Sequence, residues 1–227
     1  MITPEERISA RALAAGLAIG GVATLALLVS HPGAGAHPFA ELLKEEARNQ
    51  LAVGVIHGGF IVTLGALLVC FVFLCRYLGP DRLPVVLGFV AFCVAGGALM
   101  ISMLVDGFVT PAIAVRFADT TIPADLASAR TLLVMCGTLI RFLMSMGIIF
   151  QGIAMLSISW VLVGRGGVAR GAGIYGLLVG MILCGILFVV PRSMWEHALL
   201  SAILLQAVWY FAVSVAVFET RRVGVTV

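Results

Sequence analysis

Long stretches of apolar residues dominate the chain, and short polar segments separate them. Each stretch approaches the roughly 20 residues that an α-helix needs to cross the hydrocarbon core of a bilayer. A backbone inside lipid must satisfy its own hydrogen bonds, which a helix does and an open strand does not. The pattern therefore predicts an all-α, polytopic transmembrane bundle with about six spans, at residues 12–30, 51–74, 84–104, 142–163, 171–190 and 198–218.

The fourth span is the hardest to place, because apolar residues extend over 126–163, about twice the length of one span. Arg141 interrupts this stretch, so we place the membrane part at 142–163. The preceding segment is then a helical extension or lies in the interface. The alternative is two spans, giving seven in all. Only Cys136-Gly137 to Arg141 would separate them, which is not a polar loop.

The N-terminal stretch has two interpretations. Arg7 and Arg11 precede it, and Ala34-Gly35-Ala36 has the small residues of a signal-peptidase site, where cleavage would leave His37 as the new N-terminus. However, the apolar stretch at 12–30 is long for the hydrophobic region of a signal peptide. We therefore interpret it as the first transmembrane helix.

Composition supports a membrane protein and excludes several other classes. Of the 227 residues, 62% are hydrophobic and only 11% are charged, whereas soluble domains carry about 25% charged residues. The length allows a single transmembrane domain, residues 1–227, without a separate soluble module. The net charge is +3 and no basic run is present, so nucleic acid is not an expected partner. Five cysteines lie in or beside apolar stretches without a CxxC pair, which argues against disulfides and a thiolate zinc site.

Orientation follows from lysine and arginine, which favour cytoplasmic loops. The termini and the loops after the second and fourth spans carry eight of these residues, whereas the opposite face carries five. Both termini are therefore predicted to be cytoplasmic, in the inner (plasma) membrane of a bacterial-type cell. The opposite, outer face also holds most of the acidic residues and all four histidines, namely His31, His37, His57 and His197.

The first outer loop predicts a short amphipathic helix. Glu41, Glu45 and Arg48 are spaced four and three residues apart, so they share one helix face. One interpretation is a solvated helix on the outer surface. The other makes His37 and Glu41 metal ligands.

His57 lies within the second span, about two turns or roughly 10 Å below its outer end. A histidine at this depth should face protein or a water-filled cavity, since lipid offers no hydrogen-bond partner. It either bonds to a neighbouring helix or serves as a metal ligand, haem ligand or proton carrier. Gly54, Gly58 and Gly59 beside it would leave space for a backbone or a ligand.

Other polar residues are expected near the same outer end. Asp106, with Gly107, either ends the third helix or pairs with a histidine or arginine. Arg141 is expected to reach the outer interface, and Gln151 to bridge helices near the midplane. The predicted ligand-binding residues are His57, Asp106, Arg141, Glu196 and His197, and the predicted metal ligands are His37, Glu41, His57 and His197.

Three function classes remain open. The preferred one is binding or transport of a metal ion or small ligand at this outer His/carboxylate site. Copper or zinc are the candidate metals, since methionines such as Met103 and Met144 add thioethers that suit copper(I). The second is a redox protein or enzyme, with haem or metal held by His57 and His197. The third is a non-catalytic scaffold or assembly factor.

Glycine pairs bear on the third class and on oligomeric state. Small residues four apart let membrane helices approach closely. This spacing occurs within the first, second and fifth spans. It predicts packing inside the bundle, with a homo-oligomer as the alternative. The pairs are Gly16 and Gly20, Gly54 and Gly58, and Gly176 and Gly180.

Overall fold

The computed structural model describes residues 4–31, 38–189 and 195–219, and these residues form helices and short connections without a strand. Six helical segments are long and apolar enough to cross a membrane. The predicted all-α bundle with six spans is therefore confirmed, as is the short amphipathic helix between the first two. The helices are α1 Pro4–Val29, α2 Phe39–Arg48, α3 Gln50–Leu78, α4 Leu83–Leu104, α5 Thr110–Phe117, α6 Pro123–Val163, α7 Gly167–Val189 and α8 Trp195–Glu219.

The six long segments form a closed ring, because each packs against two neighbours in the order α1, α3, α4, α6, α7, α8 and back to α1. Exposed apolar side chains cover the outside of the ring, as expected for a surface that contacts lipid. Following the predicted orientation, we call the end that carries α2 and α5 the outer end. His57 and Asp106 lie toward this end.

The inner half of the bundle is filled by a continuous apolar core. Phe71 on α3 and Phe92 on α4 stack in parallel with ring centroids 3.8 Å apart. Trp209 on α8 packs beside Phe71 and donates a hydrogen bond from Nε1 to the Ser159 hydroxyl of α6, at 3.1 Å. These contacts join four of the six spans and close the interior below its middle.

The predicted glycine pairs lie at helix contacts within the chain. A Cβ on Gly16 would meet the Cys70 sulfur at 2.6 Å, and one on Gly180 would meet the Gly152 carbonyl oxygen at 2.9 Å. These glycines therefore permit α1 to approach α3 and α7 to approach α6. A homo-oligomer through glycine-lined faces stays a prediction.

Helix α6 is a single helix of 41 residues, so it is about 60 Å long, twice the thickness of the hydrocarbon core. The structure thus has one long helix where the sequence left two spans as an alternative. Its outer part extends beyond the bundle and packs with α2 and α5 in a small cap around Leu43, Ala114 and Ala129. The cap stands directly above the outer end of the ring.

The third span does not end at Asp106 and Gly107, in contrast to one interpretation of the sequence. The chain passes from α4 through a π-helical turn, Val105–Val109, into α5 without leaving the helix. The Thr110 hydroxyl donates to the Val105 carbonyl oxygen at 3.1 Å and helps to hold the wider turn. A π turn accommodates one extra residue and often occurs at functional sites. Here it carries Asp106.

Candidate functional site

His57 lies on the inner face of α3, with 2% of its surface exposed. Its Nδ1 is 2.8 Å from the carbonyl oxygen of Val53, one turn earlier. An oxygen acceptor at this position requires that Nδ1 carry a hydrogen, so in the neutral ring the lone pair is on Nε2. This backbone contact fixes both the orientation of the ring and its tautomer.

Asp106 faces the other nitrogen of the same ring. Its Oδ2 is 3.1 Å from His57 Nε2, and 35% of the aspartate side chain is exposed. A lone pair and a carboxylate oxygen repel each other unless something positive lies between them. The contact therefore needs a second proton on the imidazole, a proton on the carboxyl group, or a metal ion bound by both atoms.

Gly107 brings the π turn into direct contact with His57. A Cβ at Gly107 would lie 2.7 Å from His57 Cγ, closer than real side chains allow. Gly54 and Gly58 face the other side of the same turn, where built Cβ atoms would be 3.6 Å and 3.7 Å from the Phe108 ring. Gly107 therefore permits the close approach, whereas a Cβ at Gly54 or Gly58 would make only an ordinary contact with Phe108.

His31, just beyond the end of α1, completes a cluster of possible ligands. Its ring meets the ring of His57 edge-on, with centroids 5.0 Å apart. One donor atom from each of His31, His57 and Asp106 can be chosen so that all three lie within 4.8 Å of one another. For comparison, two ligands of a tetrahedral zinc ion are about 3.3 to 3.5 Å apart. Small side-chain movements would bring the three groups to one ion.

Glu46 of α2 also faces this cluster. The pKa of its carboxyl group is raised, mainly because the group is partly buried and secondly because it is near Asp106, while His57 acts in the opposite direction. Glu46 and the neighbouring Glu45 line the opening above His57. The opening is therefore acidic, which favours cations.

The shifted pKa of Glu46 gives a testable pH dependence. Between the ordinary value of 4.5 and the raised value, the folded protein keeps a proton that the unfolded chain releases. The contribution of protonated Glu46 to the stability of the fold is present at low pH and is lost as the pH rises through this range. We expect Glu46→Gln to raise the melting temperature of chelator-treated protein at about pH 7 and to have little effect near about pH 4.

Thermal unfolding across this pH range, in detergent, measures the effect. Glu41→Gln is the matched control, because Glu41 is on the same helix but exposed, and we expect a change within about 0.5 kcal/mol. A melting temperature for Glu46→Gln that follows wild type at every pH would contradict the prediction.

Below the cluster lies a cavity of about 590 Å³ in the outer half of the ring. His31, Glu46, His57 and Asp106 surround its outer opening. Apolar side chains line its middle, among them Phe60, Met103, Met144, Leu199 and Ile203. Gln151, Gln206 and Tyr210 lie at its inner end, near the middle of the membrane spans. The cavity is thus polar at both ends and apolar between them.

A smaller pocket of about 190 Å³ adjoins the opening. It lies between α2, the π turn and α6, and it shares Glu46, Asp106 and Thr110 with the large cavity. On its outer side it reaches Leu133 and the exposed Gly137 of α6. The cluster is therefore approached from the side as well as from above.

The structure brings together part of the predicted site. His57 and Asp106 are in contact, whereas His197 and Arg141 are exposed and do not line the cavity. Glu41 is exposed on α2 and likewise lies outside the cavity lining. His37 and the side chain of Glu196 fall outside the described residues. The predicted roles of all these residues stay predictions.

Three residues of the site were missed or placed differently. His31 was recognised as an outer-loop histidine but not as a ligand, although its position directly after the first span was a usable signal. Glu46 was not singled out, because only the folding of α2 over the bundle brings it to the opening. Gln151 lines the cavity, and its amide makes no bridge to another described residue.

Comparison with known proteins identifies no similar site. No known family matches the sequence, and neither the curated proteins nor the solved structures include a detectable match to the chain.

Proposed function

We propose that this membrane protein binds a divalent transition-metal ion at the outer opening of its cavity, through His31, His57 and Asp106. The orientation of His57 supports this proposal most strongly. A metal-binding histidine usually donates its second ring N–H to a carbonyl or carboxylate, which fixes the tautomer. The bond from Nδ1 to Val53 has this form, and Nε2 faces the Asp106 carboxylate.

The ligand types favour zinc or iron(II). Two imidazoles and one carboxylate are a common set for zinc sites that keep an open position and for non-haem iron(II). Copper(I) prefers thioethers and thiolates, whereas the cluster consists of two imidazoles and one carboxylate. A haem between His57 and His197 gains no support, since His197 is exposed and outside the cavity.

Metal binding should depend on the three clustered residues and not on the other predicted ligands. We expect chelator-treated wild type to bind about one zinc ion per chain. Asp106→Asn should weaken binding by about 100-fold or more, because loss of a ligand exceeds the 10 to 100-fold effect of outer-shell changes. His57→Gln and His31→Ala should also weaken it. Zinc titration by calorimetry and elemental analysis of the purified protein measure these effects.

The controls separate this site from the one predicted by sequence. His197→Ala removes an exposed histidine and should leave affinity within about twofold, a change below 0.5 kcal/mol. Asp106→Asn preserves the shape of the side chain and lets its amide donate to His57 Nε2, so loss of binding there does not require unfolding. Zinc binding that survives Asp106→Asn but fails in His197→Ala would overturn the proposal.

A metal-dependent reaction is a second candidate function. Three protein ligands leave at least one coordination position on zinc. The cavity begins at the same residues and ends in the packed core around Phe71 and Trp209. A cavity that is closed at its inner end, beside an open metal position, suits a bound substrate better than a continuous pathway. Activity against membrane-derived substrates, with Asp106→Asn as the inactive variant, tests this candidate.

A further inference from the structure

The part of the cavity below the cluster is long and mostly apolar, and a metal ion at the cluster would not occupy it. From His57 to Leu67 it follows α3 for ten residues, or about 15 Å. Its walls come from α1, α3, α4, α6 and α8, and apart from Thr24 and Thr63 they are apolar over most of this length. A metal ion and its coordinated waters would occupy the outer opening alone. The remaining volume suits an elongated apolar group.

Two buried amides close the inner end of this space. Gln151 is 5% exposed and Gln206 is 7% exposed, and both line the cavity. Neither side-chain amide hydrogen-bonds to another side chain or backbone group in the part of the chain that the structure describes. A buried amide without a partner is costly, particularly at membrane depth. These groups therefore require a polar atom from a ligand or from water.

The acidic residues at the outer opening limit the charge that the head group of a ligand can carry there. Glu45, Glu46 and Asp106 surround the opening, and the described cavity lining includes neither lysine nor arginine. An anionic head group would be repelled there. A cationic head group would compete with the metal ion proposed above. An uncharged polar head is the remaining choice, and this step alone rests on the proposed function.

The smaller pocket indicates where such a ligand comes from. Gly137 is exposed on α6, about one turn above Arg141, whereas Leu133, one turn further out, is partly buried in the cap. A Cβ on Gly137 would meet no atom within 4 Å. This side of the opening therefore provides open space between the outer membrane surface and the cluster.

We propose that the cavity binds a membrane-derived, single-chain amphiphile with an uncharged polar group at each end of an apolar segment about 15 Å long. One polar group lies beside His57 and Asp106, and the other hydrogen-bonds to Gln151 and Gln206. The apolar segment occupies the space between α3, α6 and α8. The ligand passes Gly137 on its way from the membrane surface.

The experiment uses a photoactivatable alkanediol with its hydroxyl groups about 15 Å apart, and the matching alcohol with one hydroxyl group. Full-length protein in lipid nanodiscs is labelled with and without zinc, and mass spectrometry identifies the labelled peptides. We expect labelling of cavity-lining segments, with the diol labelling more strongly than the alcohol. Gln206→Leu should weaken this preference, and Gln206→Leu combined with Gln151→Leu should abolish it, because the two amides together distinguish the probes.

Ile203→Trp fills the cavity and should lower diol labelling about tenfold, whereas Leu204→Trp places the same ring on the exposed side of α8 and should have no effect. Gly137→Trp should slow labelling, and it stays useful if Ile203→Trp fails to fold. Uniform labelling of lipid-facing segments, unchanged in Ile203→Trp, would overturn the proposal. A diol preference that survives in Gln206→Leu and Gln151→Leu would do so too.

Head-group competitors separate this proposal from the metal site. In zinc-bound protein, a fatty acid of equal length and the alcohol are compared as competitors of the diol. If the fatty acid displaced the diol more effectively, the proposed uncharged head group would be wrong. Labelling that follows the expected pattern without zinc, in protein that binds no zinc, would support the amphiphile site and refute only the metal site.

Discussion

Gly107→Ala is expected to disrupt the outer site while leaving the rest of the bundle folded. The added methyl group would overlap the side chain of His57, whose Cγ would be 2.7 Å away. His57 is held by its bond to Val53 and the π turn by its bond from Thr110, so neither side moves freely. Overpacking of this kind costs about 1–3 kcal/mol.

Unfolding in mixed micelles measures the loss of stability, and zinc titration measures the loss of the site. We expect zinc affinity to fall at least as strongly as in His31→Ala, because the shift separates His57 from Asp106. The control is Gly97→Ala in α4, where a Cβ meets nothing within 4 Å and the change should be neutral or stabilising by up to about 1 kcal/mol. Equal stability and equal zinc affinity of Gly107→Ala and Gly97→Ala would contradict the close contact between Gly107 and His57.

Trp209→Ala should give the largest loss of stability of any variant considered, about 3–5 kcal/mol. Trp209 is 1% exposed and contacts Phe71 and Tyr210, and its indole N–H donates to Ser159. In lipid, helices associate chiefly through close packing and hydrogen bonds. Removing the ring leaves a void at the junction of α3, α6 and α8 and deprives Ser159 of its donor.

Trp160→Ala is the matched control, since Trp160 is on α6 and 68% exposed to the surroundings of the bundle. We expect its stability to change by no more than about 0.5 kcal/mol. Trp209→Phe should cost less than Trp209→Ala, because it keeps an aromatic ring and loses mainly the hydrogen bond. If Trp160→Ala proved as destabilising as Trp209→Ala, the assignment of an inner core around Trp209 would be wrong.

The number of spans was predictable because lipid imposes a simple constraint on length and polarity. Boundaries were less accurate where helices continue beyond the membrane. Apolar periodicity could not show that α6 remains one helix past Arg141, or that the third span continues through Asp106 and Gly107 to Phe117. In both places the helix is maintained by the cap that α2, α5 and α6 build together.

Part of the candidate site was predictable because ionisable residues are costly in lipid. His57 and Asp106 stood out because each is ionisable within or beside an apolar stretch. Glu46 required knowledge of tertiary structure, since α2 must fold over the ring before its carboxyl group approaches His57. His197 is equally unusual in sequence but lies on the exposed side of α8. The rotation of a helix around its own axis decides between these outcomes.

The π turn lets two parts of one continuous helix face different partners. Asp106 must face His57 on the neighbouring helix α3, and Ala114, two turns later, must face Leu43 in the cap. The surplus residue at Val105–Val109 changes the register between them by about 100°, which is one residue of a regular α-helix. Loss of a single codon within this turn would therefore separate the aspartate from its histidine while all six membrane crossings persisted.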